Sequence, residues 1–394
     1  MSTHHRFDDI QVEDLVTQGS MKWTRNEGHL AAFVAEMDFG TAPAISDALH
    51  AAVDHAQLGY LPPAVKTDMS TATSEYLKSQ YDWEISAERI YPTADVLSAY
   101  TVVLETLSRP GAPVILPTPA YMPFLTLTPA QGREVIQVPM VQGEGGRLEM
   151  DLVGIAKAFE QGAEVFILCN PHNPLGRVYS RQELEDLAAV VEAHKGLVFS
   201  DEIHAPLTFP GYQHIPYASL SEATAHHTIT ATSASKAFNI PGLKCAQLIV
   251  SSPAHQEILE KVAFMVSHGA ATPGVMANTV AYRQGEEWLA DVLSYIDTNR
   301  TLLANLVEEH IPQMHYRAPE GTYIAWLDAG DLPPVNGDRS WAQFFSDEAR
   351  VALTDGALCG EAGVGHLRLM LATPSHILEK IIRAMADALA EAQR

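Results

Sequence analysis

Four short apolar runs, each closed by a polar residue, constrain this chain more than any other feature. Val114-Ile115-Leu116 runs into Pro117-Thr118-Pro119-Ala120-Tyr121, and Glu164-Val165-Phe166-Ile167-Leu168-Cys169 into Asn170-Pro171-His172-Asn173-Pro174. Leu197-Val198-Phe199-Ser200 stops at Asp201, and His227-Thr228-Ile229-Thr230-Ala231 stops shortly before Lys236. Runs this short, apolar throughout or β-branched, read as strands buried on both faces. A helix separates the second from the third: Ser180 and Glu183 make a capping-box pattern, and Leu184, Leu187, Ala188 and Val191 fall at helical spacing. Lys195-Gly196 is expected to end it, with glycine supplying the left-handed stop. Strand, helix and strand in alternation predict an α/β protein with parallel strands. Ligands of such sheets bind at the carboxyl ends of the strands. Tyr121, Asn173, Asp201 and Lys236 are thereby expected on one rim.

At 394 residues the chain is long enough for two domains, or for one large domain with a smaller companion. A mostly helical region from Thr272 to His310 leads into the C-terminal part, where Thr322–Leu327 and Gly365–Leu371 read as strands. In the second, Leu367, Leu369 and Leu371 share one face, and His366, Arg368 and Met370 the other. A terminal helix follows Pro374-Ser375, with Ile377, Ile381 and Met385 on its apolar side. A net charge of −23 repels phosphate backbones and anionic lipid, which argues against nucleic-acid and membrane partners. No apolar run approaches the ~18 residues that span a bilayer, and the polar start of the chain has no secretory pattern. Cys169, Cys245 and Cys359 lie far apart, as reduced thiols of a cytoplasmic protein do. Adjacent histidines at 4–5 and 226–227 are not at ligand spacing, so no metal is expected.

Lys236 lies in Thr232-Ser233-Ala234-Ser235-Lys236-Ala237-Phe238-Asn239. An amine withdrawn from water sheds its proton more easily and becomes a nucleophile toward aldehydes. With two serine hydroxyls beside it to hold a phosphate, the run points to a Schiff-base lysine for pyridoxal phosphate. A loop lysine exposed by chance would give the same run. Asp201 would keep the cofactor's ring nitrogen protonated, although an N-cap or turn aspartate also follows strands. Asn173 sits in a loop fixed by two prolines and a glycine, where its amide would donate to the cofactor's phenolic oxygen or merely start a turn. Tyr121 would stack on the ring, and a core tyrosine would look the same. For the phosphate, the helix opened by Thr93-Ala94-Asp95-Val96 offers its amides, with Ser233, Ser235 and Lys244 as further candidates. Asp95, in the same stretch, is a candidate too, but it is awkward near a dianion and would equally fit as a first-turn residue pointing away, so its role stays open. Arg368 suits a bidentate fork on a substrate α-carboxylate, against the alternative of a surface ion pair.

With these residues in view, the chain resembles the fold-type-I pyridoxal-phosphate enzymes of the class I/II aminotransferase family, and within it the bacterial cystathionine β-lyase (carbon–sulfur lyase) subgroup. The likeness rests on Trp23-Thr24-Arg25, Val34-Ala35-Glu36-Met37-Asp38-Phe39, Gly59-Tyr60, Pro119-Ala120-Tyr121, Cys169 to Gly176, Ser200 to Leu207, Ser235 to Cys245 and Leu367-Arg368-Leu369, in order along nearly the whole chain. The resemblance implies a large domain with a mainly parallel mixed sheet flanked by helices (46–285). It also implies a smaller α+β domain built from an N-terminal arm (1–45) and a C-terminal segment (286–394). It implies a homodimer in which Tyr60 reaches the neighbour's cofactor phosphate, Lys236 as the Schiff-base lysine and proton shuttle, Asp201 on the ring nitrogen and Arg368 on the substrate carboxylate. His204 stands where aminotransferases usually carry a tyrosine, and Lys244 where many carry an arginine. The first departure favours elimination over transamination; the second supplies a cation without a planar fork.

The expected activity is therefore β-elimination on cystathionine or a related L-cysteine thioether, giving a thiol, pyruvate and ammonia. An aminotransferase would use the same residues as far as the carbanion, and a non-catalytic regulatory protein on this fold is the reading from another class.

Overall fold

The computed structural model describes residues 4–333 and 339–394; residues 1–3 of the expected N-terminal arm and residues 334–338 of the C-terminal segment lie outside them. Seven strands form the main sheet: β1 (Ile90–Thr93), β2 (Val114–Thr118), β3 (Val135–Pro139), β4 (Val165–Cys169), β5 (Leu197–Asp201), β6 (Thr228–Thr232) and β7 (Ala246–Val250). Their spatial order is β1-β7-β6-β5-β4-β2-β3. The pairs from β6 to β3 are parallel, while β7 runs antiparallel between β1 and β6. The four anticipated strands are present and parallel. The sequence reading did not single out β1, β3 and β7, and the antiparallel β7 makes the sheet mixed.

Alternation explains why these strands are apolar throughout. Val114, Leu116, Val165, Ile167 and Phe199 turn to one face, against Val96, Tyr100 and Leu104 of the helix Val96–Leu107. Ile115, Phe166, Leu168 and Val198 turn to the other, against Ile155, Phe159, Leu184, Leu187 and Val191. Both faces carry a packed layer, so neither can be polar. In register, Cys169 lies opposite Asp201 and Asp201 opposite Ala231, so the carboxyl ends finish level.

A second, antiparallel sheet has the order β8-β9-β11-β10, from β8 (His315–Tyr316), β9 (Ile324–Asp328), β10 (Thr354–Asp355) and β11 (His366–Met370). Its core draws on both chain ends: Phe7, Leu15, Trp23 and Ile45 pack with Trp288, Tyr295, Ile324, Leu369, Ile377 and Met385. Backbone bonds from Met370 N to Ala32 O and from Asp38 N to Ala372 O, both 3.0 Å, stitch the N-terminal segment beside β11. That cover explains why Arg368 and Met370, on the face opposite the leucines, are buried too.

Two local expectations are corrected. The helix Arg181–His194 has the Ser180/Glu183 capping box, but its left-handed stop is Lys195 (φ 54°), not Gly196. A Cβ on Gly196 would sit 2.5 Å from the Phe159 ring, so the glycine is needed for space. The strand expected from Thr322 begins at Ile324, because Thr322 itself takes a positive φ of 67°.

Candidate active site

The sheet's carboxyl rim and the inner edge of β11 bring six of the sequence-predicted residues together. Lys236 follows β6 and is partly buried; its Nζ donates to the Ala35 carbonyl at 3.0 Å. Burial lowers its pKa to about 8, with help from the Arg368 charge and opposition from Glu36 and Asp201. Asp201 ends β5 with 3 % exposure. Its Oδ1 accepts the Ile203 N–H at 3.2 Å, and no cation lies within ion-pair distance among the described residues. Burial first, and then the neighbouring Glu202, raise this carboxyl to about 7, against the Ile203 bond and the Lys236 charge. It is a carboxylate that lacks a positive partner.

Arg368 shows the converse. It is 4 % exposed and forms no salt bridge among the described residues. Its guanidinium donates to Asn173 Oδ1 at 3.2 Å, the Phe33 carbonyl at 3.1 Å and Thr354 Oγ1 at 3.4 Å, leaving Nε with no partner. The surface ion pair is thus excluded, and a buried cation waits for an anion. Asn173 is itself buried, its amide oxygen turned to this cation. Tyr121 is the N-cap of the helix Met122–Ala130, and burial, then Asp201, raise its phenol above the ordinary range. His204 is buried with Nδ1 unpartnered and its ring edge-on to Tyr323 at 6.1 Å. Burial, Lys236 and Arg368 depress its pKa to about 3, so the imidazole is neutral at physiological pH.

The phosphate candidates divide. Ala94, Asp95 and Val96 open the helix Val96–Leu107 at the end of β1, on the same rim. Asp95 is the N-cap itself, not a first-turn residue pointing away: its Oδ1 accepts from Ser98 N and Oγ at 2.8 Å each. Its Oδ2 pairs with Lys244 Nζ at 3.1 Å. Although burial works the other way, these bonds hold its pKa below the usual value. The physical reason is local, since a carboxylate one residue before a helix is the best available acceptor for the orphan amides. Ser233 gives its proton to the Cys245 carbonyl at 2.7 Å and accepts from Ser235 N at 2.9 Å, so its hydroxyl is committed to backbone. Ser235, two residues further on, is 9 % exposed. Tyr60 is not brought to this cluster within one chain; it is 94 % exposed, beside an apolar recess with Leu58 and Phe264.

Sequence reasoning did not assign the inner wall. The segment 33–38 presents the Phe33 carbonyl to Arg368 and the Ala35 carbonyl to Lys236, while Tyr323 Oη also donates to Ala35 O at 3.0 Å. Backbone acceptors have no residue signature. Only the quoted likeness across Val34–Phe39 marked the stretch, and it assigned no role there. Thr354 gave no signal at all.

A buried amine of weakened basicity, a carboxylate without a cation and a guanidinium without an anion together suit an aldehyde cofactor with a protonated ring and an amino-acid substrate. Comparison with known proteins agrees in kind. The chain is 33% identical to the cystathionine beta-lyase of Corynebacterium glutamicum, over 96% of this chain and 99% of the other. It is 30% identical to the cystathionine beta-lyase PatB of Bacillus subtilis (strain 168), over 97% and 99%. Among solved structures, cystalysin from Treponema denticola, which contains a pyridoxal 5′-phosphate cofactor, superposes with a TM-score of 0.89 at 28% identity, covering 97% of this chain and 98% of that one. The family model for aminotransferase class I and II matches residues 34–385, from the wall that holds Arg368 and Lys236 to the terminal helix, and the chain belongs to that family.

Proposed function

We propose that this chain is a pyridoxal-phosphate-dependent carbon–sulfur lyase acting on cystathionine or related L-cysteine thioethers, with a thiol such as homocysteine, pyruvate and ammonia as products. One observation carries the reading: the partly buried Lys236 and the buried Asp201 and Arg368 stand within electrostatic reach of one another with no ion-pair partner among the described residues. When bound, the cofactor supplies an electron sink for the pair left at the substrate's α-carbon.

The chain's own residues would do the rest. Arg368, held in plane by Asn173, Phe33 and Thr354, would fork onto the α-carboxylate. Asp201 would pair with the cofactor's ring nitrogen, and the neutral His204 would pack beside the ring without adding charge. Lys236 near pKa 8 is matched to both proton transfers. As the free amine it would take the α-proton, and as the ammonium it would protonate a departing thiolate, whose own pKa is about 8.5. Tyr121, kept protonated by burial, would line the ring and give a second donor. Ser235, Lys244 and the amides of Ala94, Asp95 and Val96 would hold the phosphate, with Ser233 bracing the turn instead of touching it.

The shared core of both chain ends supports an N-terminal arm (1–45) and C-terminal segment (286–394) forming one small domain beside a cofactor-binding domain (46–285). The exposed Tyr60, Leu58 and Phe264 support a homodimer in which Tyr60 completes the neighbour's phosphate site. Three buried free thiols support a cytoplasmic setting. The test is to incubate the purified protein, supplied with cofactor, with cystathionine and no keto acid. Pyruvate and a free thiol should accumulate over many turnovers; a single amino-group transfer followed by arrest would assign an aminotransferase instead.

A further inference from the structure

One acceptor in the site is shared. The Ala35 carbonyl takes the Lys236 amine at 3.0 Å and the Tyr323 hydroxyl at 3.0 Å. Tyr323 has 1 % exposure and stands two residues after a Gly321–Thr208 bridge, in the turn set by the positive φ of Thr322. Its ring is held edge-on by His204, so the hydroxyl has little freedom to leave. The carbonyl is fixed as well. Its own segment is anchored on one side by Phe33 O to Arg368 and on the other by Met37 N and O to Asn239, at 2.9 and 3.0 Å.

A carbonyl oxygen can accept two hydrogen bonds, but each donor draws electron density from the other's bond. A second donor therefore weakens the grip on the first, and most so when the first is charged. We propose that Tyr323 is a positioning residue for Lys236: by occupying the carbonyl on which the free amine rests, it fixes where that amine waits and limits how tightly it holds its proton. The proposal rests on the lyase reading for the importance of Lys236, but the contact itself does not. The other groups facing the amine are Arg368 from β11, Asp201 at the end of β5, Glu36 from the N-terminal segment, and His204, whose neutral ring adds no charge. Of these, Arg368 favours the uncharged amine, while Glu36 and Asp201 favour the ammonium.

Two variants of the full-length chain with opposite signs test it. Tyr323→Phe removes the second donor, and 3-fluorotyrosine placed at 323 makes that donor stronger. The readout in protein freed of cofactor is the pH dependence of acetic anhydride labelling at Lys236, followed by mass spectrometry of its peptide. Tyr323→Phe should raise the labelling midpoint by about half a unit, a roughly threefold change in acid dissociation, and 3-fluorotyrosine should lower it. In the loaded enzyme Lys236 is a free amine only once substrate has displaced it, so the acid limb of kcat should move in the same directions, with KM for the thioether unchanged. Shifts of equal sign, or no shift in either variant, overturn the proposal. Loss of structure in Tyr323→Phe is controlled by the fluorinated variant, which keeps every heavy atom of the tyrosine side chain and exchanges one ring hydrogen for fluorine. A chain that showed the labelling shifts but no lyase turnover would sink the functional reading and leave this one standing.

Discussion

Two buried clusters of charge lie close together in this molecule and behave in opposite ways. Lys22 and Asp38 form a salt bridge at 2.7 Å with side-chain exposures of 0 % and 2 %, and Trp23 Nε1 donates to the other carboxylate oxygen at 2.8 Å. There every demand of a buried ion is met within the fold. Across the wall formed by residues 33–38, and among the described residues, Asp201 has no cation, Arg368 has no anion and Lys236 has only a shared carbonyl. The same residue types are thus buried twice, once closed and once left open. A closed pair ties two stretches of the N-terminal arm, around residues 22 and 38, to each other. An open set holds unspent electrostatic free energy that a ligand of complementary charge can satisfy.

The comparison breaks at its functional end first. Lys236→Ala removes the nucleophile and the base together, and turnover of a cysteine thioether should fall by about 10⁴-fold or more, measured as pyruvate release, while the fold survives. If appreciable turnover persists, the open cluster is not the reacting one. At the structural end, Lys22→Met leaves Asp38 buried beside a single Trp23 N–H. It should cost roughly 3–5 kcal/mol in urea unfolding, and Lys22→Met with Asp38→Asn should recover much of that. A loss near zero would mean that the closed pair locks nothing.

The third prediction sharpens the contrast through pH. The carboxyl of Asp201 is raised in the folded chain, from 3.8 to about 7. The folded state therefore holds the proton more tightly than the unfolded state. The resulting penalty is absent below pH 4, grows as pH rises from 4 to 7, and is fully present above 7. Asp201→Asn should leave the cofactor-free protein unchanged in stability at pH 4 and more stable at pH 8, by roughly 2–4 kcal/mol. The same change should abolish turnover. Thermal melts of variant and parent at the two pH values check it; a gain over the parent no larger at pH 8 than at pH 4 would show that the open carboxylate carries no strain.

Most of the open cluster was legible before any coordinates. Tyr121, Asn173 and Asp201 each follow a buried run in sequence, and parallel strands must finish on one rim. Arg368 was legible only as one face of a strand. Its burial, without an acidic partner among the described residues, depends on cover by residues 32–38, more than three hundred positions away. The mistaken glycine stop at 196 has a similar origin. Glycine is there to let the Phe159 ring pass, a contact between elements that no local pattern encodes. The role of Asp95 stayed open in the sequence, because an N-cap and a first-turn aspartate look alike until the backbone bend is seen.

Local chemistry alone determined which side chains can react, and the order of strands and helices determined that several of them share an edge. Burial periodicity and chain polarity act over a few residues, so they survive in the linear text. Only the folded chain decided which charges would go unanswered. Partnership among buried ions depends on distances between segments remote in sequence, and on main-chain carbonyls such as those of Phe33 and Ala35, which are alike in every residue and are distinguished only by where they point.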